Sequence, residues 1–290
     1  LQAYYRHVAT EDLLARAPED LLGAALAHRD LARSRPVGTA KVEVFNPDVA
    51  EQGWASGHTV VQIVTDDMPF LVDSVSMALT EQQHDIHLVI HPLFVVTRNR
   101  ASGGLVKVAR VPSHLGISSG DTAAMPNLSH LIAQGDNASH MESWIAVEID
   151  RVDDAKRAVL TEGIGRVLAD VRAAVEDWPK MRNRALQIAQ DLDTLANPAQ
   201  IAELRQAQEL LRWLDDGNFT FLGYREYELK DESGEDVLEP REESGLGLLR
   251  GGADTPHQIQ HLTETGRKKA REKRALVITK ANSRSTVHRS

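Results

Sequence analysis

Between residues 58 and 98 the hydrophobic period of the chain changes twice, and this limits the fold more than any other feature. "HTVVQIVT" (58–65) is β-branched nearly throughout and follows Gly57, which reads as a strand. In "FLVDSVSMALTEQ" (70–82) the apolar Leu71, Val72, Val75, Ala78 and Leu79 recur at helical spacing. "DIHLVIHPLFVVTR" (85–98) returns to alternation, with Ile86, Leu88, Ile90, Phe94 and Val96 on one face of a long strand. Pro92 lies on that face and cannot donate to a ladder, so it predicts a sheet edge or a bulge. "SWIAVEID" (143–150) is a further strand, followed by helix. The pattern is βαββα-like and predicts an α+β fold: a small antiparallel sheet packed on helices.

The flanking segments divide the rest. Residues 1–39 read as helices, with Thr10 as an N-cap before Glu11 and Asp12, and Pro18 in the first turn of "PEDLLGAALAHRDLA". "KVEVF" (41–45) alternates like a short strand. The main module is placed at 40–178, with a Gly-, Ser-, Asn- and Asp-rich excursion over 99–140. Apolar stripes then run through about sixty helical residues, and the part at 179–217 reads as a connector. Its third stripe is interrupted by the polar Gln208, and Asp216-Gly217 suits an αL cap. "NFTFLGYREYEL" (218–229) opens a second, truncated sheet module over 218–290, with a separator at 230–254 and another strand at 274–283.

Composition removes several function classes. A net charge of −9 disfavours a general nucleic-acid binder. The run "RKKAREKR" (267–274), with six basic residues and one acid, has no interleaved aromatic to stack on bases and reads as a solvated face. With no cysteine there is no disulfide, thiolate metal site or Cys nucleophile, which suits a reducing cytoplasm. No apolar window approaches the roughly 18 residues of a membrane span. Leu1 in place of an initiator Met, and an end inside a patterned stretch, suggest a piece of a longer polypeptide.

Two chemical motifs fail on geometry. His84, His87 and His91 would suit a metal on a helix, but on a strand His87 and His91 stand roughly 13 Å apart. "GLGLLRGG" (245–252) lacks the preceding strand and following helix that a dinucleotide loop requires. The remaining candidate is the turn "TDDMPFLVDSV" (65–75). Asp66 or Asp67 before a helix is most simply an N-cap, with Pro69 at the first helical position. A cap combined with ligand contact is the sharper alternative, and a paired-carboxylate acid/base site is the least favoured.

This turn resembles the strand-to-helix turn of ACT domains, the amino-acid-binding regulatory modules of metabolic enzymes. Asp67 and Pro69 match, while Phe70 stands where such turns carry Gly. More widely, "TDDMPFLVDSVSMAL", "IHPLFVVTR", "ESWIAVEIDRV", "NFTFLGYREYEL" and "LVITKANSRSTVHR" are similar, in order, to the N-terminal region of the large NAD-specific glutamate dehydrogenases of bacteria.

The resemblance implies an ACT-like (βαββαβ, ferredoxin-like) sheet, a helical connector and, from 218 onward, a PAS-like module. It also implies a downstream catalytic domain in the same chain, where NAD binds and glutamate is oxidatively deaminated, and a cytoplasmic homo-oligomer. No catalytic, cofactor-binding or metal residue carries over to this segment. The residues it marks for effector binding or helix capping are Asp66, Asp67, Met68, Pro69, Phe70 and Leu71. A purely structural subunit-contact module with no small-molecule site is the alternative.

Overall fold

A computed structural model describes residues 1–111, 137–194, 201–232, 235–251, 259–272, 274–278 and 285–287. The chain forms two compact units, Leu1–Val171 with Thr286–Ser290, and Arg172–Ser285.

In the first unit, helices α1 (Thr10–Leu14) and α2 (Pro18–Leu31) precede strand β1 (Lys41–Phe45), the turn α3 (Val49–Gln52) and strand β2 (Thr59–Asp66). Helix α4 (Leu71–Glu81) leads to β3 (Ile86–Ile90), β4 (Leu93–Asn99), β5 (Leu105–Arg110) and β6 (Asn137–Ile149), and α5 spans Asp154–Thr194. The strand order is β1-β2-β6-β4-β5, with β3 also on β6, and every pairing is antiparallel.

The β-branched run of β2 earns its central position: Val60, Val61, Ile63 and Val64 are all buried. Val64 shares a cluster with Tyr4, Tyr5, Ala32, Phe94 and Trp144, and Val60 one with Phe45, Trp54, Ala24 and Ala27. Val61 and Ile63 point to the other face, where α4 (Leu71, Val75, Leu79) and α5 (Leu160, Ile164, Val171) offer buried stripes as cover. Residues 1–39 therefore belong to this unit and are not a separate lead segment. A buried strut fixes them: the Tyr4 hydroxyl donates to His28 Nδ1 at 2.8 Å, and His28 Nε2 donates to the Ile63 carbonyl at 3.0 Å. A carbonyl can only accept, so the tautomer is set.

Several expectations need correction. Residues 85–98 form two strands, because the chain breaks at His91–Pro92; the Pro92 carbonyl accepts from Trp144 N–H at 3.1 Å. β4 is an interior strand, because β5 pairs with its outer side. β5 itself lies in the expected excursion, and β6 starts at Asn137, six residues before the strand read from "SWIAVEID". The rest of that excursion, 112–136, is outside the described residues. A βαββαβ order would place its last strand beside β2 after the second helix. β1, from before β2, takes that place, and α5 runs on as helix through Pro179. The α1 cap is Ala9, with no side-chain bond, so Thr10 is the first helical residue instead of the cap.

In the second unit, α5 and α6 (Ile201–Trp213) pack through Ala189, Leu192, Leu204, Ala207 and Leu211. The buried Gln208 is satisfied by donating to the Ala189 carbonyl at 2.9 Å. A π-helical turn, Leu214–Asn218, contains Gly217 at φ +82°, the left-handed position expected there. Short strands follow: β7 (Gly223–Tyr224), β8 (Tyr227–Glu232), β9 (Glu235–Pro240), β10 (Leu246–Gly247) and β11 (Gln260–His261), then helix α7 (Glu264–Ala270). The sheet expected to open at 218–229 does so with β7 and the start of β8, and the hairpin of β8 and β9 runs into the expected separator. The described part of 274–283, residues 274–278, is not a strand.

Candidate functional site

The turn between β2 and α4 is assembled by long-range partners. β2 pairs with β6 down to Asp66 opposite Glu142, and Asp67 N–H extends the ladder to the Met141 carbonyl at 3.0 Å. Met68 and Pro69 then lead to Phe70, at φ +73° and ψ −4°. That is left-handed backbone, which favours glycine and costs a bulky residue roughly 1–2 kcal/mol. α4 begins only at Leu71, its cap residue is Phe70, and no side chain caps it. The expected Asp cap and the placing of Pro69 at the first helical position are therefore overturned, because both carboxylates are bound by distant groups.

Asp66 faces a buried charge network. It accepts from Arg35 Nη2 at 2.7 Å and from Gly38 N–H at 2.8 Å. Arg35 Nη2 also donates to Glu142 Oε1 at 2.6 Å. Arg98 grips Glu142 with two bonds, Nε to Oε1 at 2.5 Å and Nη2 to Oε2 at 3.0 Å. Trp144 Nε1 donates to Oε2 at 3.0 Å, and His140 Nε2 lies 2.9 Å from Oε1. Arg35, Arg98 and Glu142 are 0% exposed, so two cations and one anion sit away from water, with Asp66 at the edge. Burial alone would raise the Glu142 carboxyl, but His140, Arg98 and Arg35 hold it well below the usual carboxylate range. The trio His140, Asp66 and Glu142 has a metal-like donor set. Arg35 Nη2 fills the cation's place, within 3.0 Å of all three.

Asp67 is held differently. It accepts from Ser143 Oγ at 2.6 Å, and Ser143 Oγ lies 3.0 Å from His91 Nε2. Since serine gives its one proton to Asp67, His91 must donate to serine. This His→Ser→Asp order is the wrong one for a serine nucleophile, whose histidine must accept the serine proton. Among the described residues no cation pairs with Asp67. Burial pushes its carboxyl up, opposed by the Ser143 bond. Burial, with His7 adding, pushes His91 down to about 4. The turn thus carries one compensated and one uncompensated carboxylate.

A family model described as "Glutamate dehydrogenase, ACT1 domain" matches residues 1–164. The chain belongs to this family. It is 34% identical over 250 residues to the NAD-specific glutamate dehydrogenase of Halomonas elongata, covering 85% of this chain and 14% of that protein. It is 31% identical over 292 residues to the enzyme of the same name from Pseudomonas aeruginosa, covering 99% and 16%. A third relative, from Mycobacterium tuberculosis, is 29% identical over 238 residues, covering 81% and 13%. The chain therefore spans about one sixth or less of the length of these relatives.

The ACT1 match takes in the N-terminal helices, as does the compact first unit. Of the six residues marked from sequence, Asp66, Asp67, Met68, Pro69 and Phe70 line the partly exposed turn of this ACT1 domain. Leu71 is 2% exposed and serves the core. Sequence reading missed Arg35, Arg98, His140, Glu142 and Ser143, and weighed His91 only in the rejected metal motif. The one available signal was charge at strand positions, Arg98 closing "FVVTR" and Glu142 opening "ESWIAVEID". Among the described residues no group of three His, Cys, Asp or Glu is set to hold a metal, and no helix is long and apolar enough to cross a membrane. Gly247, from the rejected dinucleotide motif, gives its N–H to Asp177 at 2.9 Å.

Proposed function

We propose that this chain is a non-catalytic regulatory segment of a longer, cytoplasmic, homo-oligomeric glutamate dehydrogenase. That enzyme would convert L-glutamate, NAD and water to 2-oxoglutarate, ammonia and NADH, with catalysis and NAD binding in a downstream domain of the same chain. The family and the names of the relatives support the parent activity. The observation that carries the regulatory role is Asp67, a desolvated carboxylate that pairs with no cation among the described residues, at the mouth of a turn. Such a group is complementary to an ammonium ion. The neighbouring start of α4 favours a carboxylate. Together they fit an amino-acid effector, which would regulate by binding one arrangement of the turn better than another. Residues from 218 onward would begin a PAS-like module. With glutamate and NAD, the 290-residue chain is expected to form no NADH. Turnover that survives re-purification would overturn the proposal.

A second reading, a structural contact module without a small-molecule site, draws on Phe70 in the glycine-like conformation and on the outer edge of β3, which pairs with no strand among the described residues. On that reading no amino acid binds and only the assembly state depends on this unit.

A further inference from the structure

At the far end of the β2–β6 ladder from Asp67, the first unit has a cleft of about 670 Å³. Seven ladder positions separate Asp66 from Thr59, or roughly 23 Å at strand rise. We propose that this cleft is a second ligand site, for a small organic anion with a carboxylate or phosphate head and a short apolar body. The inference stands apart from the reading of Asp67.

The walls come from two chain reversals. α4 closes with the Gln83 N–H bonded to the Thr80 carbonyl and the His84 N–H bonded to the Leu79 carbonyl. Gln83, at φ +63°, is the left-handed residue of that cap. The cap turns Gln82 and His84 toward the cleft. Opposite them, the β6–α5 junction supplies Arg151 and Lys156 over an apolar floor that includes Val152 and Leu160.

The charge balance favours an anion. Arg151 donates to the Ser56 carbonyl at 3.0 Å and, like Lys156, ion-pairs with no described carboxylate. Against these two cations the wall carries one acid, Asp150, which is hydrogen-bonded to His87 Nε2 at 2.8 Å. Asp153 accepts the Lys156 N–H at 2.9 Å, so the start of α5 is self-capped and is not counted as part of the attraction. The volume lies within the range of small-molecule pockets and is too small for a macromolecule.

The test titrates the 290-residue protein with inorganic phosphate and, separately, with butyrate, following backbone amide shifts by NMR. Saturable shifts at 82–84 and 150–160, weakened at least 10-fold in an Arg151→Gln/Lys156→Gln double variant, are expected. Both side chains are exposed, so the variant keeps the core. A response to phosphate alone assigns a phosphate head, and one to butyrate a carboxylate. If neither ligand saturates, or if the double variant binds as well as the parent, the proposal is overturned. Asp67→Asn is expected to leave these titrations unchanged.

Discussion

Glu142→Ala is expected to cost the first unit about 3–5 kcal/mol, a large share of the stability of an ordinary domain. Glu142 is the shared anion for Arg35 and Arg98, and all three are 0% exposed. Without it, among the described residues, Arg35 keeps Asp66 as its anionic partner and Arg98 keeps the carbonyls of Ala32 and Gly103. A buried guanidinium without a carboxylate bears most of its desolvation cost uncompensated. The Trp144 indole N–H loses its acceptor as well. Glu142→Gln keeps the volume and one acceptor, so it should fall between the parent and Glu142→Ala. By contrast, breaking the exposed Arg33–Asp30 pair should change stability by less than about 1 kcal/mol. Urea unfolding followed by tryptophan fluorescence checks the order. Equal midpoints for Glu142→Ala and Asp30→Ala would refute the weight given to the network.

Acidification is expected to destabilise the first unit in two stages. His28 is buried and neutral, and burial lowers its pKa to about 4, partly opposed by the Ile63 carbonyl bond. A base whose folded pKa is lowered contributes its full stability above the unfolded value, near 6.5, and loses it as pH falls toward 4. A shift of this size amounts to on the order of 3 kcal/mol. His91, lowered to about 4 mainly by burial, acts in the same direction. The Glu142 carboxyl is held low, so its share is present above its unfolded pKa and disappears only at more acid pH. Asp67 opposes these trends: its raised carboxyl makes ionisation cost the folded state as pH rises. Thermal unfolding should therefore be flat between about pH 7 and 9, fall between 6.5 and 4, and fall again below. His28→Gln, whose amide can still donate to Ile63 and accept from Tyr4, should shrink the first stage to the share carried by His91. A first stage unchanged in that variant would place it on other groups.

The sequence shows what is local and hides what is not. The strand at 58–65 and the helix after the turn were legible because apolar period and burial coincide in Val60, Val61, Ile63, Leu71, Val75 and Leu79. The same logic failed at the cap. Local propensity assigns Asp66 and Asp67 to the helix start, but Arg35, 31 residues away, and Ser143, 76 residues away, offered better partners. Phe70 in left-handed backbone contradicts its own propensity, and only the resemblance drew attention to the position. Arg98 and Glu142 lie 44 residues apart, and no periodicity can match them in advance. β5 escaped notice because "LVKVAR" is short and half-exposed within a polar excursion.

Calorimetric titration of the 290-residue chain with a panel of amino acids, repeated on Asp67→Asn, tests the regulatory reading most directly. The substitution keeps an acceptor for Ser143 and removes the uncompensated charge, so the fold should be at least as stable at pH 7. The account predicts saturable heat with at least one amino acid, weakened roughly 10- to 100-fold by Asp67→Asn as a charge-assisted bond is lost. No heat with any amino acid, or equal affinity in the variant, would contradict it and leave the turn a structural element.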